Sequence, residues 1–286
     1  MNELSQITPQ TTVNSDTGAA RFVGSIPEVY DTHLGPLLFQ FSAADLAKRI
    51  DNAMPGAKKV LEIACGTGIA TEYLWQTLGE NAEIVATDLN EAMLNYAVSK
   101  RGALMNVSYR QADGQALPFE DGSFDVVACQ FGIMFIPDKA LALAEMARVL
   151  RPGGLLAFNV WGSLEQNKVA GLARQTIADF FKSDPPDFLT VPFGFYEIEP
   201  IRTLVKGAGF SAPDFDLVSE TIERPDAIGI ARGFVEGNPG ILQIRERGEV
   251  DPETIVTALA AEIEALYGPA PLQVPLQEIV CLARKP

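Results

Sequence analysis

The sequence predicts a doubly wound α/β fold: a mostly parallel seven-stranded sheet with a helical lid. From Lys59 onward, short β-branched runs alternate with runs of helical period, the pattern of successive βαβ units. A glycine turn, Gly66-Thr67-Gly68, separates the first strand from its helix, and the second strand closes on an acid, Asp88. Strand, glycine turn, helix and strand-end acid together mark a site for an adenosine-type ligand at the carboxyl ends of the strands.

The first strand is KVLEIAC, from Lys59. Its helix, Ile69 to Leu78, brings Ala70, Leu74 and Leu78 onto one stripe with Tyr73 beside them. AEIVATD is the second strand. The helix from Glu91 to about Arg101 takes Asn90 as its N-cap, because a short amide can accept from the free N–H groups of the first turn. NVSYRQAD supplies the third strand. SFDVVACQF, the fourth, is apolar at its centre on both faces, as a parallel strand covered on both sides must be. Leu143, Met146, Ala147 and Leu150 give the apolar face of the next helix, which ends in Arg148 and Arg151 and stops at Pro152-Gly153-Gly154. GLLAFNVWG is the fifth strand.

Beyond Trp161 the alternation loosens into a helix-like run from Asn167 to Lys182, a loop rich in proline and phenylalanine, and a helix from Ile198 to Ala208. The last strands run from Asp214 to Glu223 and from Val274 to Ala283. Two helical stretches between Pro225 and Tyr267 are not needed by the sheet and read as lid, as does Ser25 to Arg49. Residues 1–24 thus read as a flexible tail and 25–286 as one domain. Within it, 25–50 form an N-terminal lid segment, 59–162 the cofactor-binding core, and 163–197 with 225–270 a substrate lid.

With 47% hydrophobic and 21% charged residues the chain has a globular composition, and no apolar run reaches the length of a membrane span. A net charge of -15, with the Lys and Arg scattered, disfavours nucleic acid and anionic membrane as binding partners. The first residues lack a basic region followed by an apolar one, so they do not read as a secretory signal. Cys65, Cys129 and Cys281 lie in apolar strand-like runs, where reduced thiols act as small hydrophobes, and their spacing fits neither a disulfide framework nor a metal site. These features favour a cytoplasmic protein with a small-molecule substrate. Monomer and homodimer both stay open.

Gly66 and Gly68 fill the first two positions of G-x-G-x-x-G/A, but the third holds Thr71, which weakens a pyrophosphate reading. Asp88 is placed to accept from two ribose hydroxyls. Glu62, beneath the turn, would repel a pyrophosphate in a partly dry site and attract an ammonium or sulfonium. The residues point to a cationic adenosine cofactor, with an NAD-type oxidoreductase as the alternative.

Four stretches resemble, in order and at normal spacing, the successive motifs of class I S-adenosylmethionine-dependent methyltransferases, in the subgroup similar to the ubiquinone and menaquinone methyltransferases. They are EIACGTG (62–68), DLNEAM (88–93), DGQALPFEDGSFDVV (113–127) and RVLRPGG (148–154). SIPEVYDTHLGPLLF (25–39) is similar to the segment that closes over the cofactor in many members. The resemblance implies a Rossmann-like methyltransferase fold with S-adenosylmethionine as cofactor and S-adenosylhomocysteine as product. By position it implies that Glu62, Gly66 and Gly68 shape the pocket for the methionine part and that Asp88 holds the ribose. Leu89 and Met93 would pack near the adenine, and Asp113 would accept from its amino group. The backbone of Gly114 or Gln115 would complete that end. Gln130 would offer its backbone carbonyl to the ligand ammonium, and Tyr30 would cover it.

The activity so implied is in-line transfer of a methyl group to oxygen or carbon of a small, largely apolar or aromatic metabolite. A cofactor-binding member of the fold without methyl transfer is a further alternative. Asp113 stands directly before a turn, where a local hydrogen bond is its ordinary use, and Asp121 and Asp125 flank Gly122-Ser123 as turn-forming, solvated acids. His33, the single histidine, lies in the lid and is the candidate general base, although lone histidines more often serve packing. Phe131, Phe135 and Trp161 follow strand ends and are expected to wall the acceptor pocket. No metal is expected.

Overall fold

Seven strands make one sheet in the order β3-β2-β1-β4-β5-β7-β6. They are β1 (Lys59–Ile63), β2 (Glu83–Asp88), β3 (Val107–Gln111), β4 (Phe124–Gln130), β5 (Leu150–Trp161), β6 (Asp214–Arg224) and β7 (Leu272–Arg284). The computed structural model describes residues 21–286, so the expected tail lies outside the described residues as far as position 20. The first five strands pair in parallel, and β7 runs antiparallel between β5 and β6. From β1 the chain steps outward to β2 and β3, then returns to β4 on the other side of β1. The loops after β1 and β4 therefore diverge, and a crevice opens at their carboxyl ends.

Helices α3 (Ile69–Leu78), α4 (Glu91–Arg101) and α5 (Lys139–Val149) form the crossovers between the parallel strands. Asn90 caps α4 by accepting from Met93 N–H at 3.0 Å, as its position predicts. Gly68, in the left-handed conformation at φ 85°, starts α3. A side chain there would be strained and would meet Arg101 and Ala97 at 3.0 and 3.3 Å. On the α3 stripe Ala70 and Leu74 are buried, while Leu78 is only partly covered.

In the sheet and its crossovers three expectations need correction. Helix α5 ends at Val149, and Leu150 and Arg151 begin β5, because Leu150 pairs with Phe124 of β4 instead of extending the helix. Cys65 lies just past β1, although all three thiols are buried and free. Asp125 is not a solvated turn residue: its carboxylate accepts from Lys58 and Lys59 N–H at 2.8 and 2.9 Å and pairs with Arg151, which fastens the start of β1 to β4 and β5.

Ahead of the sheet, α1 (Ile26–Val29) leads into a π-helical segment, Tyr30–Phe39, and then α2 (Gln40–Ala53). After β5 come α6 (Lys168–Asp179) and α7 (Ile198–Gly207). Between β6 and β7 there are three helices, not two: α8 (Ala227–Glu236), α9 (Gly240–Arg247) and α10 (Pro252–Tyr267). Helix α8 packs on the π-helical segment, on α6 and on α10. Gly233 permits that closeness, since a Cβ there would sit 2.7 Å from Leu34. Among the described residues no helix is long and apolar enough to cross a membrane.

Candidate cofactor and acceptor site

Three cavities meet over the crevice. The largest, with about 830 Å³ of free space, lies along the ends of β1, β2 and β3 and is bordered by Asp88, Leu89, Met93, Asp113, Gly114 and Gln115. A second, of about 300 Å³, lies at the glycine turn beside Glu62, Gly66, Thr67 and Gln130. A third, of about 500 Å³, is lined almost wholly by rings and aliphatic chains, among them Phe131, Phe135 and Trp161. Tyr30 borders all three.

Asp88 organises the turn. One carboxylate oxygen accepts from Gly66 N–H at 2.8 Å and the other from Asn90 N–H at 2.7 Å. Burial pushes its carboxyl up to about 6, against the pull of those N–H groups. Glu62 is likewise buried and accepts from the Thr71 hydroxyl at 2.6 Å. Burial raises it to about 7, the Thr71 bond opposes the rise, and the neighbouring Asp88 charge adds to it. The residue that breaks the third glycine position is thus the one that anchors the acid beneath the turn. Arg101 closes the turn from outside, donating to the Thr67 carbonyl at 2.8 Å while pairing with Glu72 and Asp31.

The two loops over the crevice are held in unusual backbone. Ala64, after β1, and Phe131, after β4, both have positive φ, 57° and 50°. For residues with a Cβ such conformations cost free energy and persist only where neighbours enforce them. Here Gly132 allows the enforcement: a Cβ on it would lie 2.4 Å from the Ala64 Cβ and 2.9 Å from the Cys129 sulfur. Gly114 serves a similar close approach, since a Cβ there would meet Ile136 and Ile63 at 3.0 and 3.3 Å. Asp113 accepts from Gln115 N–H at 2.8 Å, the local turn bond expected of it, and also faces the largest cavity. The Gln115 side chain reaches across to accept from Asp138 N–H at 3.0 Å, tying the loop after β3 to the loop after β4.

Every predicted cofactor residue except Gly68 is brought to a cavity wall; Gly68 instead packs under Arg101 as the start of α3. His33 is not brought to these walls. It lies on the π-helical segment against Gly229 and Gly233 of α8, where burial and Arg232 lower its basicity. Sequence reasoning missed Phe22, Thr67 and Gly132. A glycine directly after the predicted fourth strand was the available signal for Gly132, the place of Thr67 inside the glycine turn was the signal for it, and nothing local marked Phe22.

The donor set suits an amino-acid-bearing adenosine ligand. Thr67 Oγ1 and Gln130 Oε1 are buried without a partner, and both residues line the glycine-turn cavity. A hydroxyl can donate to a ligand carboxylate and an amide oxygen can accept from an ammonium, so such a ligand satisfies atoms that the protein leaves unpaired. The Gln130 Nε2 is already used, donating to the Phe39 carbonyl at 2.9 Å.

Residues 61–158 match a family model described as a methyltransferase domain. The ubiquinone/menaquinone biosynthesis C-methyltransferase UbiE of Idiomarina loihiensis is 32% identical over 199 residues, which are 62% of this chain and 77% of that protein. Among solved structures, phosphoethanolamine N-methyltransferase 2 of Haemonchus contortus, in complex with S-adenosyl-L-methionine, superposes with TM-score 0.55 at 19% identity, over 95% of this chain and 58% of that one. The [4+2]-cyclase SpnF does so with TM-score 0.52 at 18% identity, over 87% and 82%. The two structures share the fold. The curated relative is matched over most of its length and not over the glycine turn alone, so the chain belongs to the class I S-adenosylmethionine-dependent methyltransferases, and S-adenosylmethionine is its cofactor.

Proposed function

We propose that the chain methylates a flat, largely apolar small molecule, at carbon or oxygen, in the ring-lined cavity. The observation that carries this reading is the wall shared by that cavity and the adenosine-end cavity: Phe22, Tyr30, Phe131 and Phe135 border both. An acceptor seated there would stand beside the cofactor, screened from water by stacked rings. The Idiomarina relative, by name a C-methyltransferase of ubiquinone and menaquinone biosynthesis, supports a ring-bearing acceptor.

Bound S-adenosylmethionine supplies a methyl group already activated on a sulfonium sulfur, so the protein's work is to bind, orient and exclude water. In this proposal Asp88 holds the ribose, Leu89 and Met93 flank the adenine, and Asp113 with the Gly114–Gln115 backbone meets its amino group. Glu62, Thr67 and Gln130 serve the amino-acid end. Among the described residues lining the ring cavity there is no carboxylate, imidazole or ammonium; its polar side-chain groups are the Tyr30 hydroxyl, the Trp161 indole N–H, which can only donate, and the Asn238 amide. Asn238 is spent internally, donating to the Phe234 carbonyl and accepting from Gly240 N–H at 2.9 Å. Burial, with Asp88 and Asp31 nearby, pushes the Tyr30 phenol far above its ordinary value, so at neutral pH it can donate a hydrogen bond but not take a proton. The acceptor must therefore bring its own nucleophile, as an acidic phenol or enol does when ionised. Incubation of cell extract with the protein and deuteromethyl-labelled cofactor, followed by mass spectrometry, tests this. Label in an apolar ring compound is expected, and tight cofactor binding with label in no product overturns it.

On this reading His33 packs the lid and is not a base. We expect His33→Ala to leave kcat within about 3-fold, whereas loss of a working general base costs roughly 100-fold or more. A fall of that size with cofactor affinity intact would restore the base.

The acids beneath the turn set a pH dependence. Glu62, at about 7, and Asp88, at about 6, hold their protons more tightly folded than unfolded. Their contribution to stability is therefore present below the unfolded values and is lost as pH rises through the folded ones. A cationic ligand favours the ionised pair, so S-adenosylmethionine should bind with proton release and tighten as pH rises from about 5 to about 7. Calorimetry in two buffers of different ionisation enthalpy measures this; proton uptake, or affinity that falls with pH, contradicts it.

A further inference from the structure

We propose that Glu278, on the antiparallel strand β7 and outside the cofactor residues, is a positioning residue: through Asn159 it fixes Phe131, the ring shared by the cofactor and acceptor cavities. The proposal rests on the methyl-transfer reading for its purpose but not for its geometry. Glu278 is only 3% exposed, and one of its carboxyl oxygens accepts from Asn159 Nδ2 at 2.7 Å. The oxygen of the same Asn159 amide accepts from Phe131 N–H at 3.1 Å, sharing that donor with the Asn159 backbone carbonyl at 3.2 Å. An amide has one donating and one accepting end, so a carboxyl at Glu278 dictates which way Asn159 points, and hence that its oxygen faces Phe131.

The consequence falls on a strained residue. Phe131 sits at φ 50° and its ring stacks on Trp161 with centroids 3.9 Å apart and planes 7° from parallel. Asn159 and Trp161 project from one face of β5, and Trp161 is the register partner of Glu278 on β7. Carboxyl, amide, strained backbone and ring stack thus form one connected unit. The second oxygen of Glu278 is buried beside a small cavity of about 240 Å³ that Ser42 and Trp161 also line. Burial pushes this carboxyl up to about 7, against hydrogen bonds from Ser42 and Asn159. A carboxyl kept in so dry a place calls for a return elsewhere in the structure, and the oriented amide is that return.

The test reads the ring stack itself. The chain has two tryptophans, so in a Trp75→Phe background the emission and near-ultraviolet circular dichroism report Trp161 alone. Glu278→Leu is expected to shift the Trp161 emission and remove most of its dichroism, with S-adenosylhomocysteine still bound. Glu278→Gln, which keeps an oxygen toward Asn159, is expected to retain the signal. Where Glu278→Leu does not fold, a swapped pair decides: Asn159→Asp alone sets two carboxyls together and disturbs the signal, and Asn159→Asp with Glu278→Gln reverses donor and acceptor and restores it. A Trp161 signal unchanged in folded Glu278→Leu, or no restoration in the swapped pair, overturns the proposal. Failure of the parent protein to bind S-adenosylhomocysteine would instead count against the methyl-transfer reading, since the ring signal does not depend on that ligand.

Discussion

Replacing Asp88 by alanine should weaken S-adenosylhomocysteine binding by at least ~100-fold, about 2.7 kcal/mol, measured by calorimetry. Two effects add. In the proposed role the ligand loses its ribose acceptor, and Gly66 and Asn90 N–H lose the oxygens that hold the turn in shape. Each N–H left unsatisfied costs roughly 1–3 kcal/mol. Asp88→Asn, which keeps one acceptor oxygen, should fall between wild type and alanine. Equal affinity in wild type and Asp88→Ala would remove Asp88 from the site.

Gly132→Ala should be the more damaging change to the fold around the site. The added methyl would lie 2.4 Å from one Cβ and 2.9 Å from a buried sulfur, and Ala64 cannot retreat because its own backbone is already held at φ 57°. Overpacking of this kind costs about 1–3 kcal/mol or more, which for a chain of this size lowers Tm by several degrees. Because the clash prises apart the loops after β1 and β4, cofactor affinity should fall with stability. A thermal melt and a titration on the same preparation check both, and a Gly132→Ala protein with wild-type Tm and affinity would show that the contact yields freely.

The core was legible in the sequence because its signals are local. Helices α3 and α4 begin and end where a glycine turn, an Asn cap and apolar spacing put them, and Glu62 before the glycine turn and Asp88 at the end of the second strand were both visible. The end of α5 was not, since Leu150 fits the helical period and the strand equally well, and only its pairing with Phe124 decides. The third lid helix was missed because Gly240–Arg247 is short and polar, so its order depends on neighbours rather than on period. Most of the residues that the sequence placed at the cavity walls follow strand ends, Tyr30 apart, and Gly132, which also follows one, was passed over. Thr67 carries no mark of an unpaired hydroxyl until the turn is folded over it. His33 was a candidate base by residue type alone, since a sequence cannot show that its segment sets it against Gly229 and Gly233 of α8. Phe131 and Trp161 were expected at the acceptor wall, but their stack, and the Asn159–Glu278 pair behind it, join residues far apart in the chain.

Tyr30 belongs to a segment wound with hydrogen bonds that span five residues, from Gln40 N–H back to the Gly35 carbonyl, instead of the usual four. That segment gives a wall to all three cavities: Tyr30 lines each of them, and Phe39 lines the glycine-turn and ring cavities as well. A substitution that alters its winding would therefore be felt at both ends of the proposed site at once, shifting donor affinity and acceptor affinity together rather than one by one.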